Sequence, residues 1–410
     1  MNLDRCRKKL KTSNLNSQMK KFFIIAGEAS GDLLGSKLIK ELKAELLQKN
    51  EPAEFVGVGG KLMKEEGLVS IFPMEELSVM GFMEVVPHIS KLLRRIKETA
   101  EAVISQKPDF VITIDSPDFC FRVMKKLQKS SNFKKVHLIA PSVWAYREGR
   151  AEKISKLYDL LLAILPFEPP YFEKYGLKTV FIGNPITENA PNFDEKLEKN
   201  SIFRQKYLIK ENDILISLTP GSRSSEVKKI FPEFIGAINI LAQKIPNLKV
   251  VIPWVDKTKD LVFKMAEELK VDYVFVANEE KKSASFATNF ALAKSGTNAL
   301  EFSIYKIPML IAYKINPVTH FIVKRMVKIK FANLINLILN KEILPEMLHK
   351  NCTAKKLSEV LEKLILNKNF AQTQVEQSQS ALQLMGLGSV ENPSKKAAKE
   401  ILNLCQFTQN

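Results

Sequence analysis

Two aspartates follow the apolar run Phe110 to Ile114, in the order Ile114-Asp115-Ser116-Pro117-Asp118-Phe119. A carboxylate just past the carboxyl end of a buried strand stands where ligand crevices of open α/β sheets form. There it can take a proton from a substrate hydroxyl, provided burial or a neighbouring acid keeps its pKa suitable. Asp115 is the candidate base. Asp118, directly after Pro117, reads more simply as a carboxylate at the start of the next helix.

Anion binding is the second chemistry. In Thr219-Pro220-Gly221-Ser222-Arg223, Gly221 permits a tight turn, Ser222 offers a hydroxyl and Arg223 can grip phosphate oxygens bidentately. Lys294-Ser295-Gly296-Thr297 repeats the pattern, with Ser295 and Thr297 as small hydroxyls for phosphate and Glu301, one helical turn in, as an acceptor for ribose hydroxyls. Near the start of the chain, Gly27-Glu28-Ala29-Ser30-Gly31-Asp32 places small residues where a ligand can approach the backbone. A tight turn with Asp32 as a helix-start carboxylate explains that stretch equally well. Ala140 to Arg147 puts Trp144, Tyr146 and Arg147 in one loop, either a sugar- or phosphate-contacting element or a loop anchored by a buried Trp.

Other chemistries lack their residues. Gly57-Val58-Gly59-Gly60 has Leu62 at the third position of the dinucleotide fingerprint, and GxxxxGK[ST], GxSxG and DxD are absent. The histidines at 88, 137, 320 and 349 and the cysteines at 6, 120, 352 and 405 show no metal-ligand or CxxC spacing. Neither a metal nor a cofactor is expected, and a reducing compartment fits the cysteine usage.

The elements that must position these residues emerge from the alternation of short apolar runs with stretches of helical apolar spacing. Strands are predicted at residues 22–26, 54–58, 110–114, 136–140, 160–165 and 179–182, and then at 214–218, 249–252, 273–276, 290–294 and 308–312. Two such series imply two Rossmann-like, doubly wound parallel-sheet domains of the α/β class. The expected division is a flexible basic extension at 1–20, one domain at 21–187, a second at 188–370 and closing helices at 371–410. A length of 410 residues, 45% of them hydrophobic, suffices for both cores.

A net charge of +17, from 62 basic and 45 acidic residues, favours anionic partners: nucleic acid, acidic lipid or phosphorylated substrates. No recognised nucleic-acid motif is present, so nucleic acid is not the expected partner. No apolar run reaches the roughly 18 residues of a membrane helix. Two stretches set apolar residues beside cations. One, residues 80–96, contains Met83, Val85, Val86, Ile89, Leu92 and Leu93 beside Lys91, Arg94 and Arg95; the other, residues 302–341, has no acidic side chain. Each reads equally as a surface for anionic lipid or as core helices with snorkelling lysines.

Taken in order, AGEASGD (26–32), LSVMGFMEV (77–85), IDSPDF (114–119), PSVWAYR (141–147), LPFE (165–168), PGSR (220–223), SGT with Leu300-Glu301 and LPE (344–346) resemble the lipid-A-disaccharide synthase family of glycosyltransferases. The resemblance implies a two-domain GT-B fold with a cleft between the domains, and a metal-free inverting transfer at the cytoplasmic face of the inner membrane. The implied donor is UDP-2,3-diacylglucosamine and the implied acceptor 2,3-diacylglucosamine 1-phosphate, joined β-1',6 with release of UDP. It assigns Asp115 as general base and Arg223 as the essential arginine. Gly27, Glu28, Ser30, Gly31, Asp32, Gly221, Ser222, Ser295, Gly296, Thr297, Glu301 and Asn336 are assigned to substrate or nucleotide. Met83, Val85, Val86, Ile89, Leu92 and Leu93 are assigned to an anionic bilayer surface. The chain departs from the family pattern at Asn184, Asn289 and His349, where His, Asp and Gln are usual. Alternatives left open are another GT-B UDP-sugar enzyme (a UDP-GlcNAc transferase or 2-epimerase), a basic nucleic-acid-binding module and a non-catalytic nucleotide-binding scaffold.

Overall fold

The computed structural model describes residues 19–77, 89–130, 132–146, 148–314 and 329–404. Contacts divide the chain into two compact units. The first contains the residues up to Val143, Glu148–Pro185 and the segment from Glu391; the second contains Ile186–Val390 and a short segment beginning at Trp144. Of the stretch 371–410, the helix Lys368–Leu384 therefore lies in the second unit and the helix Pro393–Asn403 in the first.

The first unit is built on seven parallel strands: β1 Lys20–Ala26, β2 Ala53–Val58, β3 Val69–Ser70, β4 Phe110–Ile114, β5 Lys134–Leu138, β6 Leu160–Ala163 and β7 Lys178–Phe181, in the order β3-β2-β1-β4-β5-β6-β7. Residues 22–26 and 110–114 are buried without a break, as strands covered on both faces must be. Phe22 stacks between Phe55 and Phe110, at centroid distances of 5.2 and 5.1 Å. The helix Ala29–Gln48 buries Leu38, Ile39, Leu42 and Leu46. Against it packs Pro393–Asn403, whose Ala397, Ala398, Ile401 and Leu402 belong to the first unit's core. The chain thus returns to its first unit, and each large aliphatic side chain buried there is worth roughly 1.5–3 kcal/mol. The one polar position within β4, Thr113, shares its hydroxyl with His137 Nδ1 at 2.7 Å and Tyr158 at 3.0 Å. Burial lowers the His137 pKa to about 3, so it is a neutral core histidine.

The second unit has six parallel strands: β8 Ile214–Thr219, β9 Leu248–Pro253, β10 Tyr273–Val276, β11 Phe290–Lys294, β12 Met309–Tyr313 and β13 Glu346–Leu348, in the order β10-β9-β8-β11-β12-β13. The helix Ser224–Ala242 buries Ile230, Phe231, Phe234, Ile238 and Leu241 against them. The short edge strands β3 and β13, of two and three residues, are those that apolar alternation did not predict.

In both sheets the strand order reverses beside the first strand, between β1 and β4 and between β8 and β11. Outside the carboxyl ends of strands at such a reversal, helices leave to opposite faces and a crevice opens. The turns after β1, β4, β8 and β11 carry the residues singled out for chemistry.

Candidate functional site

At the first reversal, the turns after β1 and β4 are in contact. A side-chain carbon added at Gly27 would lie 2.5 Å from Ser116 Oγ, so only glycine lets the two turns approach. Asp115 and Ser116 are both left-handed, with φ of 48° and 43°. Two consecutive non-glycine residues in that region cost energy, and such strain concentrates at functional positions. The turn is fixed by the Asp115 N–H donating to Leu138 O at 3.0 Å and by the helix Pro117–Lys126, which begins immediately after it. The Asp115 carboxyl has no cationic partner among the described residues. Burial pushes its pKa up, against the smaller opposing effect of the Ser116 backbone hydrogen bond. A carboxylate that is poorly solvated and unpaired is a stronger base than one in a salt bridge.

At the second reversal, a pocket of about 240 Å³ opens between the turns after β8 and β11. Gly221, Ser222, Gly296, Thr297 and Lys294 form its polar end, while Pro253, Trp254, Val255, Val262 and Ala277 form its apolar end. Gly221 adopts φ 119°, and a side-chain carbon there would meet Glu226 Oε2 at 2.7 Å. The helix Ser224–Ala242 starts at this turn and presents unpaired N–H groups and the positive end of its dipole. Thr219 also lines the pocket, and its buried Oγ1 has no hydrogen-bond partner among the described residues. The pocket therefore combines an apolar slot for a flat base with a cradle for phosphates.

A match to the lipid-A-disaccharide synthetase family extends over residues 22–401. The chain belongs to this family. It is 39% identical over 384 residues to the lipid-A-disaccharide synthase of Rhodospirillum centenum, covering 93% of this chain and 94% of that protein. The Rickettsia akari synthase is 41% identical over 386 residues, with 93% and 96% covered. Among solved structures, UDP-GlcNAc 2-epimerase from Neisseria meningitidis bound to UDP-GlcNAc aligns with a TM-score of 0.59 at 14% identity, covering 95% of this chain and all (100%) of that one. That likeness shows the fold, a two-domain GT-B-type architecture built on paired parallel sheets.

Within this family member, several residues assigned from sequence are occupied in other ways. Asp32 is 5% exposed and its two oxygens accept from the Gly60, Leu62 and Met63 N–H groups, at 2.8, 3.0 and 3.1 Å. It ties the turn after β1 to the helix after β2, the structural role these three hydrogen bonds give it. Asn336 is fully buried (0% exposed). Its Oδ1 accepts from Ile343 and Leu344 N–H, and its Nδ2 donates to Leu344 O and Glu346 Oε1. An amide has two acceptor and two donor positions, and all are used within the chain; Asn336 holds the approach to β13. Ser295 Oγ donates to Ala332 O at 2.8 Å and lies outside the pocket lining. Glu301 pairs with Lys281 and lines an adjoining pocket of about 220 Å³ with Asn278, Lys282 and Tyr305. Lys281 lines both pockets.

Arg223 is not among the residues lining the pocket; its side chain is 65% exposed, with Nη1 3.3 Å from Oε1 of Glu226, which does line it. Lys294 Nζ reaches the same oxygen at 3.1 Å. Sequence reasoning missed Glu226, Lys294, Lys281 and Trp254. The available signal for Lys294 was its position as the last residue of a buried strand, where a cation has no reason to be unless it faces a ligand edge. Gly31 is buried, Glu28 half-buried and Ser30 exposed at the start of the helix Ala29–Gln48.

Of the residues assigned to the bilayer, Met83, Val85 and Val86 lie outside the described residues, and Ile89 opens the helix Ile89–Gln106. Leu92 packs partly on the first core, while Leu93 is 49% exposed. The neighbouring cations are partly neutralised: Glu76 takes Arg95 at 2.8 Å and Lys91 at 3.2 Å, which holds the Glu76 carboxyl below its usual pKa. Among the described residues, no helix is long and apolar enough to cross a membrane and no group of three or more His, Cys, Asp or Glu residues could hold a metal ion.

Proposed function

We propose that this protein condenses UDP-2,3-diacylglucosamine with 2,3-diacylglucosamine 1-phosphate, giving the β-1',6-linked disaccharide 1-phosphate and UDP. The observation carrying this reading is that each sheet reversal bears one half of the required chemistry: an unpaired, raised-pKa carboxylate at the first and an anion pocket with an apolar slot at the second. Asp115 takes the proton of the acceptor 6-hydroxyl as that oxygen bonds to the donor anomeric carbon. The bond from that carbon to the diphosphate breaks on the opposite side, and UDP leaves with the electron pair, so the configuration inverts. Arg223, Lys294 and the N–H groups at Gly221 and Ser222 offset the charge that develops on the leaving diphosphate. Both sugars are acylated, so the reaction belongs at a lipid surface. We place this contact at the cytoplasmic face of the inner membrane, where exposed Leu93 and the cations beside it would meet the lipid.

Incubating the purified protein with both acylated sugars, followed by mass analysis of the lipid, tests the reading. The expected products are one disaccharide 1-phosphate and one UDP per turnover. Conversion of UDP-GlcNAc to its 2-epimer, with no disaccharide, would overturn it.

A further inference from the structure

A groove of about 450 Å³ runs along the first unit between the helices Pro117–Lys126 and Arg150–Ser155. Phe121, Ile154 and Leu157 line it, and Ile154 and Leu157 are only 2% and 9% exposed, so the floor is the outer surface of the core. Arg122, Lys125 and Lys153 enter from the walls. Two further lining cations are matched, Arg150 by Asp118 Oδ1 at 4.0 Å and Lys156 by Glu152 at 2.7 Å. Arg122, Lys125 and Lys153 form no ion pair with any described carboxylate. Three unmatched cations around one depression repel each other until an anion joins them, and a phosphate presents enough oxygens for all three. The half-buried Phe121 and the aliphatic stems of Arg122, Lys125 and Lys153 give hydrocarbon attached to this anion a surface to cover.

The groove opens beside the proposed base. Its first lining residues, Pro117 and Asp118, come directly after the Asp115-Ser116 turn. At a helical rise of about 1.5 Å per residue, Arg122 lies about 7.5 Å further along the helix than Pro117. In a hexose the anomeric carbon and the carbon bearing the 6-hydroxymethyl arm flank the ring oxygen, so a sugar whose 6-hydroxyl meets Asp115 keeps its 1-phosphate within about one sugar ring of that carboxylate, a span comparable to the distance along the helix to Arg122. We propose that the groove is the acceptor site: Arg122, Lys125 and Lys153 hold the phosphate of the acylated sugar 1-phosphate, and an acyl chain lies on Phe121 and the aliphatic stems of these cations. This assignment rests on the reaction proposed above and identifies the residues that select its acceptor.

The test is equilibrium binding without donor, in neutral detergent micelles, so it needs no turnover. Diacylglucosamine 1-phosphate and its dephosphorylated counterpart are titrated against the wild type, against the Arg122→Gln/Lys125→Gln/Lys153→Gln variant, and against Lys126→Gln/Lys129→Gln, which removes charge outside the groove. The wild type should prefer the phosphorylated sugar. The triple variant should bind it about 10- to 100-fold more weakly and lose the preference, with UDP affinity and thermal midpoint unchanged. The control pair should stay within about twofold, since single exposed charges contribute little. A preference that survives in the triple variant overturns the proposal. So does a loss confined to sedimentation with phosphatidylglycerol vesicles, which would give the groove to bulk bilayer lipid. Failure of the wild type to form disaccharide while these binding differences hold would count against the reaction and not against the groove.

Discussion

Lys294 Nζ and Arg223 Nη1 stand on the same oxygen, Oε1 of Glu226, at 3.1 and 3.3 Å. Two cations share one carboxylate beside the second-unit pocket, which Lys294 and Glu226 line, and this leaves the cluster short of negative charge. In the proposed reaction the donor diphosphate would supply it. Because Arg223 is mostly exposed, Arg223→Ala should leave stability within about 0.5 kcal/mol of the wild type. Its loss should appear in catalysis. A charge-assisted hydrogen bond worth about 1.5–3 kcal/mol corresponds to roughly a 10- to 150-fold fall in kcat/KM. If the arginine acts mainly on charge that builds as UDP departs, kcat falls more than KM rises. Steady-state kinetics over a donor series, paired with a melting curve, decide this; unchanged kinetics would remove Arg223 from the site.

On the proposed reading, Glu226 is the counter-ion that the donor diphosphate would have to displace or outbid. Glu226→Gln keeps the shape and one oxygen acceptor but removes the competing charge. UDP should therefore bind a few-fold more tightly at low ionic strength, and the advantage should shrink as salt screens it. Isothermal titration with UDP at two salt concentrations measures both effects. Weaker binding by the variant would mean that the carboxylate organises Arg223 and Lys294 for the ligand and does not compete with it.

The Asp115 carboxyl titrates above its ordinary value of 3.8 because burial disfavours the ionised form. As a general base it works only when deprotonated, so kcat/KM should fall as pH drops through a midpoint displaced upward from 3.8. Asp115→Asn should lower turnover by about 10²- to 10⁴-fold and spare UDP binding. The same shift has a stability consequence. An acid with a raised folded-state pKa destabilises the fold wherever it is ionised, and the penalty disappears below the unfolded value. The Asn variant should accordingly melt higher than the wild type at neutral pH, and the two should converge as pH falls below about 3.8. Melting curves at several pH values test this; a variant that melts lower at pH 7 would show that the carboxylate is held by interactions stronger than its desolvation.

The positions of chemistry were legible because strand ends are legible. Unbroken apolar runs such as Phe22–Ala26, between turn residues and helical stretches, read as buried strands, and the residues just past their carboxyl ends sit at a sheet edge. Lys294 was readable on the same logic, as a cation closing a buried strand. The role of each edge residue was not readable from type and spacing, because hydrogen-bond capacity is shared among neighbours brought in by tertiary structure. Asp32 meets Gly60, Leu62 and Met63 only once β1 and β2 pair. Asn336 meets Glu346 only once β13 docks beside β12. The strands β3 and β13 escaped notice for a related reason: two or three residues make no periodic signal, and the sheet edge they join supplies their order.

Asn336 separates a binding role from a structural one. Its amide serves two backbone donors, Ile343 and Leu344 N–H, and two acceptors, Leu344 O and Glu346 Oε1. Glu346 is itself half-committed to Ala332 and Asn333 N–H groups, and burial already raises its pKa. Asn336→Ala strands these partners away from water. Each buried group left unsatisfied costs about 1–3 kcal/mol, so a total of about 3 kcal/mol or more is expected even after partial relaxation. Urea unfolding should show that loss in the second unit, while donor KM, measured under conditions where the variant is folded, should remain near the wild-type value. The opposite pattern, unchanged stability with a raised donor KM, requires the Asn336 amide to face substrate, which its four internal hydrogen bonds leave no capacity to do.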